Sequence, residues 1–435
     1  MAVTQITTLS SLGDIPTVGL KDIISTGNVY FVDSNTGAST YNGLTKDQPL
    51  ATLLQAHNKC TANKGDVVML MPGHTESVAA ASTLSTAGVT YLGMGVGDNR
   101  PIITFTTATS ADYILSGGNI RMVNIIFKCG IDSQTDTLDI TNKYTIIENC
   151  EFHYGSSLEC LDTITLTHAN ADHCKILNCY FDHRAATGAK SAIKIVAALD
   201  GLEIAGCRIF GDYSEASIWN PTGNVAINVD IHHNVVQNDN SGDWAIELVS
   251  ACTGACRYND LFTDAWATAL NPGSLKCSGN RHTAAVDTES RPIPTGYGEQ
   301  VSAVKATATT PQAGDGTLFT ITGGQIEVLA LCGEVTTVIE SATNISRLKF
   351  NPTGTGSDIN LCQDLELNGA AAGTLLTITG NPNDVMQSAV WLGYGMAQTL
   401  ILGPGVIELE CDGSTSGSIG WQMVYRRLEA GGTVA

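Results

Sequence analysis

The chain has 435 residues, 22 of them basic and 42 acidic, giving a formal net charge of −20. A surface this acidic repels phosphate backbones and argues against nucleic acid as a direct partner. Only 15% of residues are charged while 43% are hydrophobic, a profile that suits an extended β protein better than a helical one, and no stretch reaches the roughly 18 apolar residues of a membrane span.

Residues 1–27 open with "MAVTQITTLSSLGDIPTVGL", which has neither a basic start nor a long apolar core and so does not read as a secretory signal. Folding in a cytoplasm is the expectation, with this segment either an arm that orders on docking or a frayed tail. The 13 cysteines are odd in number and lack the dense, even spacing of a disulfide scaffold, so they read as buried reduced thiols. Next, "QPLATLLQAHNKCTA" is helix-like and would cap one end of the strand region downstream of it. "GDVVMLM" is expected to be the first core strand, Pro72-Gly73 its corner and "HTES" the start of the next strand. His74 and Glu76, two apart, would share a strand face, which alone does not make a catalytic dyad.

From Met122 the chain repeats itself. "MVNIIF", "IENCEF", "ILNCYF", "IAGCRI", "IHHNVV", "RYNDLF" and "CSGNRH" align so that the fourth position holds Ile125, Cys150, Cys179, Cys207, Asn234, Asp260 and Asn280. Upstream of several of them lie alternating runs: "TLDI" (137–140), "TITL" (163–166), "AIKI" (192–195) and "AIEL" (245–248). Alternation of period two means strands, and short strands separated by Gly, Asn and Asp corners in coils of roughly 20 to 30 residues fit a parallel β-helix. A leucine-rich repeat of similar period would need a Leu/Asn signature that is missing. Stacking of coils would place Cys150, Cys179 and Cys207 in one interior row and Phe127, Phe152 and Phe181 in another, with Phe262 re-entering the aromatic row. The cysteines then read as small apolar filler. "CTGAC" at 252–256 is one pair without the partner pair that a zinc site requires.

The segments "NVYFVDSNTGASTYNGLTKDQPLATLLQA", "GDVVMLMPGHTESV" and "GVTYLGMG" resemble the opening of the pectate-lyase-like right-handed β-helix superfamily. The resemblance spans about residues 28–290 and is specific for fold, not for chemistry. It is especially similar to the β-helical proteins of tailed bacteriophages, which often carry a C-terminal β-sandwich and form homotrimers, so a trimer is what the resemblance implies. Enzymes of this fold act on polysaccharides, as lyases with Ca²⁺ and an Arg base or as hydrolases with paired carboxylates, and neither residue set is recognisable here. The carboxylates that do occur are scattered: Asp136 and Asp139, Glu148 and Glu151, Glu159 and Asp162, and Asp239, Asp243 and Glu247. Glu148 and Glu151, three apart, are expected on opposite strand faces. The groups "DHR" (182–184) and "DNSGDW" are placed in corner loops, where Asp and Asn serve turns. His232 and His233, being adjacent, should point to opposite sides. Trp219, Trp244 and Trp266 could floor a sugar groove, though isolated aromatics at corners more often cap a core. No catalytic, cofactor-binding or metal-binding residue is assigned, and no cofactor is expected; a carboxylate pair spread over neighbouring coils would be invisible in the sequence.

"RPIPTGYGEQ" (291–300) marks a boundary. Beyond it the strands lose the repeat, and "VIELECDGSTSGSIGWQMVYRRL" reads as a hairpin within a sandwich of jelly-roll type. The expected organisation is thus an arm (1–27), a parallel β-helix with a helical cap (28–290), a linker (291–300) and a C-terminal β-sandwich (301–435). The expected function is structural: a homotrimeric spike or decoration protein on a phage head, contacting the major capsid protein or another shell protein, with weak host-glycan adhesion as a secondary role. The alternative is a tail spike that binds or depolymerises host surface polysaccharide. A cell-surface adhesin would need an export signal.

Overall fold

In the computed structural model, the described residues are 26–435 except 156, 185–187, 222, 250, 265–267, 285–290, 294–299, 306, 355, 391–394 and 430–431, together with the backbone of a short strand pair, Ser11–Leu12 with Ile15–Pro16. The expected arm therefore lies almost wholly outside the described residues, as does Trp266. The chain divides into two compact units, Met1–Ile293 and Pro294–Ala435.

Among the described residues, the named elements of the first unit are strands, one short helix (Leu53–His57) and a 3-10 turn (Gly97–Asn99). Its alternating runs do what period two dictates, sending one set of side chains inward and the other out. Because each run pairs with its equivalent one coil later, the strands assemble into three sheets of ten, ten and eight strands. The pairing is parallel except at the last strand of the second sheet, where Arg291–Pro292 runs antiparallel to Arg281–Ala284. The result is a parallel β-helix. Its first strand is Val29–Val32, paired with Val67–Leu70, so "GDVVMLM" is the second core strand and not the first. The helix Leu53–His57, capped by the Thr52 hydroxyl accepting from the Gln55 amide, buries Leu53, Ala56 and His57 in the solenoid core.

The corner between the first and second sheets is built from two residues. The first is left-handed in coil after coil: Asn124 (φ 60), Asn149 (52), Asn178 (53), Gly206 (66), His233 (55), Tyr258 (54) and Gly279 (63). That conformation reverses the chain within one residue and is cheapest for Asn and Gly. The next residue turns inward, and here one position of the sequence alignment needs correction. The inward row is Ile125, Cys150, Cys179, Cys207, Asn234, Asn259 and Asn280, since Asp260 pairs with Val235 and Arg281 on the outward-facing register of the second sheet. Likewise Leu261, not Phe262, follows Val236 in the interior, and Phe262 faces out.

The inward row is also more than filler. Each thiol reaches a carbonyl of the preceding coil, Cys150 to Met122 at 3.7 Å, Cys179 to Ile147 at 3.6 Å and Cys207 to Ile176 at 3.5 Å. The asparagines make the stronger version of the same bond, Asn234 to Ile204 at 2.9 Å and Asn259 to Ile231 at 3.0 Å, and each Oδ1 accepts from the backbone amide of its neighbour below. All thirteen cysteines are free thiols. The aromatic row stacks as expected, with centroids 5.2 Å apart for Phe127 and Phe152 and 4.7 Å for Phe152 and Phe181.

The second unit packs two six-stranded sheets, antiparallel within each, around one core that includes Ile326, Leu331 and Trp421 from one sheet and Leu348, Ile407 and Leu409 from the other. The expected hairpin is absent. Gly405–Cys411 pairs with Gly314–Thr322 and Ile345–Pro352, whereas Ser418–Arg427 pairs with Gln300–Val304 and Ile326–Thr337 in the other sheet. Residues 412–417 therefore arch between sheets. Gly417 (φ 102) permits this, since a Cβ there would stand 2.5 Å from the Val338 carbonyl oxygen.

Candidate acidic site on the third sheet

The third sheet contains Tyr113–Leu115, Gln134–Ile140, Cys160–Leu166, Ser191–Ile195, Ala216–Trp219, Trp244–Leu248 and Leu270–Pro272. Register fixes its outward row as Ile114, Asp139, Thr165, Lys194, Trp219, Glu247 and Asn271 on successive coils. Neighbours in such a row stand about 4.8 Å apart, so the row runs along the solenoid as a continuous strip. Beside it, Asp136 and Asp162 are paired across adjacent coils. Asp112, in the corner just before Tyr113–Leu115, completes the group.

These four aspartates are not equivalent. Asp112 is only 8% exposed, and burial, then the charges of Asp136 and Asp139, push its carboxyl up to about 8. It hydrogen-bonds Asp136, which burial also raises and which the Thr165 hydroxyl supports at 3.0 Å. The other oxygen of Asp112, Oδ1, is buried with no partner among the described residues. Asp139 is raised chiefly by burial, against the hydrogen bond it accepts from Thr167. Asp162 accepts from Ser191 at 2.7 Å and from the Lys194 ammonium at 2.6 Å. Lys194 in turn lies over the Trp219 indole, 4.8 Å from the ring centroid. Further along, burial and the charge of Glu215 raise both Asp243 and Glu247. The site thus brings together a carboxyl whose proton burial holds up to about 8, further acidic groups beside it, one cation and an aromatic wall. A proton donor facing a carboxylate is the equipment of general acid/base chemistry.

The remaining sequence candidates do not join this group. His74 is fully buried, receives the Ser34 amide at Nδ1 and meets Glu76 at 3.2 Å, while Glu76 accepts from the Leu53 amide, so the pair ties the helix to the first coils. Glu148 and Glu151 lie on different sheets on either side of the left-handed Asn149, and both face out: Glu148 pairs with Arg121, and Glu151 with Arg100 and His153. "DHR" is not a loop, because Asp182 and His183 end the strand Tyr180–His183. Asp182 pairs outward with Arg184, while His183 is buried, drawn down to about 3 by burial and bonded to Tyr213 at 2.7 Å. His232 and His233 do meet, Nδ1 to Nδ1 at 2.9 Å, because the left-handed His233 breaks the alternation that would separate them. Glu159, just before the strand Cys160–Leu166, is raised by burial and by Asp132. Cys252 and Cys256 are both buried in the solenoid core. In the sandwich, Asp315, Asp358 and Glu408 converge at metal-like spacing, but Lys349 Nζ already sits among them, 2.7 Å from Asp315 and 2.9 Å from Asp358.

The sequence reading names Asp136, Asp139, Asp162, Glu247 and Trp219 without uniting them, and misses Asp112, Thr165 and Lys194. A signal is present: the third letters of "TLDI", "TITL", "AIKI" and "AIEL" are Asp139, Thr165, Lys194 and Glu247, four members of the outward row.

No protein-family model and no curated protein matches the chain. Solved structures similar to it include a rhamnogalacturonan lyase at 12% identity and TM-score 0.38, covering 62% of this chain and 90% of that one. The tailspike of Acinetobacter baumannii bacteriophage Fri1, a capsular polysaccharide depolymerase, is similar at 10% identity and TM-score 0.30, covering 97% and 89%. The Dettilon tailspike protein is similar at 10% identity and TM-score 0.28, covering 92% and 95%. Likenesses this distant do not decide what the chain does.

Proposed function

We propose that this chain is a tail-spike-type virion protein that binds a host surface polysaccharide along the outer strip of the third sheet and hydrolyses it there. The observation that carries the reading is the buried Asp112, hydrogen-bonded to Asp136 with its Oδ1 unpartnered among the described residues, on a strip that also offers Lys194 and Trp219. An oxocarbenium-like glycosyl transition state needs a proton delivered to the leaving oxygen and negative charge close to the sugar ring. Asp112 fits the first role, and Asp139 or Asp136 the second. Trp219 and the row beyond it would hold the polymer on one side of the cut. The phage context is supported by the resemblance of residues 28–290 to virion β-helices, and a homotrimer belongs to the same reading. Capsid decoration, favoured from sequence while no carboxylate pair was visible, loses its main support once the coils bring the aspartates together.

The test is incubation of the purified full chain with capsular and lipopolysaccharide preparations from candidate hosts, reading new reducing ends. Asp112→Asn and Asp136→Asn should each lower the rate by about 10²- to 10⁴-fold, the usual contribution of a positioned acid or base, with unchanged circular dichroism. Release of ends by both variants at the parental rate would overturn the hydrolytic reading.

A further inference from the structure

A second candidate site lies on a different sheet. Three successive coils of the second sheet, at the ends of Val235–Asn238, Asp260–Thr263 and Arg281–Ala284, enclose a pocket of about 260 Å³. Phe262 forms its wall, in register with Gln237 on one side and Thr283 on the other, and Asp239 and Asp264 stand at its rim.

Among the described residues, nothing covers the ring that faces this pocket. One coil beyond Gln237, Phe210 is occupied by two guanidinium groups, Arg184 and Arg208, each 5.4 Å from its centroid. Phe262 has no aromatic or cationic neighbour among the described residues. Gln237 donates its amide to Asp239 at 2.7 Å, which orients both side chains and leaves the amide oxygen and a second carboxylate oxygen as acceptors. A half-buried aromatic face with several oxygen acceptors and a hydroxyl around it suits a ligand having one apolar face and a rim of hydroxyl donors. A pyranose ring has that form. Two carboxylates at the rim disfavour a uronate by like-charge repulsion.

We infer that the Phe262 pocket binds a single neutral pyranose residue of a glycan, separately from the strip on the third sheet. The inference does not depend on hydrolysis at Asp112. Its physical role would be retention: a second contact on the same polymer raises the effective concentration of glycan at the first.

The test uses saturation-transfer NMR on the full chain with methyl β-glucopyranoside, methyl β-galactopyranoside and N-acetylglucosamine as probes, and glucuronate as the charge control. At least one neutral probe should receive saturation, most strongly on its apolar face, and glucuronate should receive little. Phe262→Ala should weaken that probe by about tenfold, Phe262→Tyr should retain it, and Asp239→Asn with Asp264→Asn should admit glucuronate. Loss of the signal in Phe262→Ala, with unchanged circular dichroism, places the neutral probe in this pocket and not on the third sheet. Saturation of no neutral probe, or saturation unchanged by Phe262→Ala, would overturn the proposal.

Discussion

At the scale of single residues, Asp112 carries the most information, because its environment works against the stability of the charged form. Folded, its carboxyl holds the proton up to about 8; in an unfolded chain an aspartate releases it near 3.9. Between those two values the folded state binds a proton that the unfolded state has lost, so the stability tied to Asp112 is complete below about pH 4 and declines as pH rises to about 8. Asp112→Asn removes this dependence. The variant should melt higher than the parent at pH 8 and above, and its melting temperature should fall less steeply between pH 5 and 8; equal slopes in parent and variant would show that Asp112 titrates normally. Hydrolysis, if Asp112 is the acid, should fall with an apparent pKa near 8 on the alkaline side. Sequence could not single this residue out. Asp112 precedes a strand of only three residues, and what raises it, burial first and then the nearness of Asp136 and Asp139 one coil away, exists only once the coils stack.

At the scale of elements, the corner row shows where sequence reading works and where it slips. The repeat, its cysteine and phenylalanine rows and the strand alternation are all legible, since each coil repeats the same local pattern. The slip from Asn259 to Asp260 comes from anchoring a coil on its aromatic residue, when the left-handed position before the slot is the invariant of the geometry: Tyr258 there is as left-handed as Asn149 or Gly279. The asparagines make a testable ladder. Asn259→Ala would strip the buried Asn234 amide of its acceptor and the Ile231 carbonyl of its donor, and two buried polar groups left unpaired at about 1–3 kcal/mol each should cost roughly 3 kcal/mol in a denaturant titration. A loss below about 0.5 kcal/mol would mean that solvent reaches the row. In the sandwich, alternation gives the strands but not their partners, because a Gly-rich loop of six residues can close a hairpin or arch between sheets; only the close approach of Gly417 to Val338 decides it. The same unit offers a charge test. Lys349 stands between Asp315, Asp358 and the buried Glu408. Lys349→Met should destabilise the sandwich by about 1 kcal/mol, since its close partners Asp315 and Asp358 are exposed and only Glu408 is left buried without a cation. Added Ca²⁺ should restore part of the melting temperature in the variant and leave the parent unchanged.

At the scale of the whole molecule, the two readings of function make different demands on numbers. A decoration protein repeats with the shell lattice, so its count follows the closed symmetry of the capsid. A spike that cuts polysaccharide acts where the virion meets the host surface, and a few trimers suffice. The net charge of −20 gives long-range repulsion from nucleic acid and other anionic surfaces and does not favour either setting; in the spike reading, binding is left to short-range contacts in the strip and the Phe262 pocket. Quantitative mass spectrometry of purified virions against the most abundant shell protein separates the cases. The spike reading expects a copy number that corresponds to a small set of trimers and is independent of shell size. A count near the number of shell symmetry positions would return the chain to the capsid and would leave the aspartates of the third sheet without a substrate to serve.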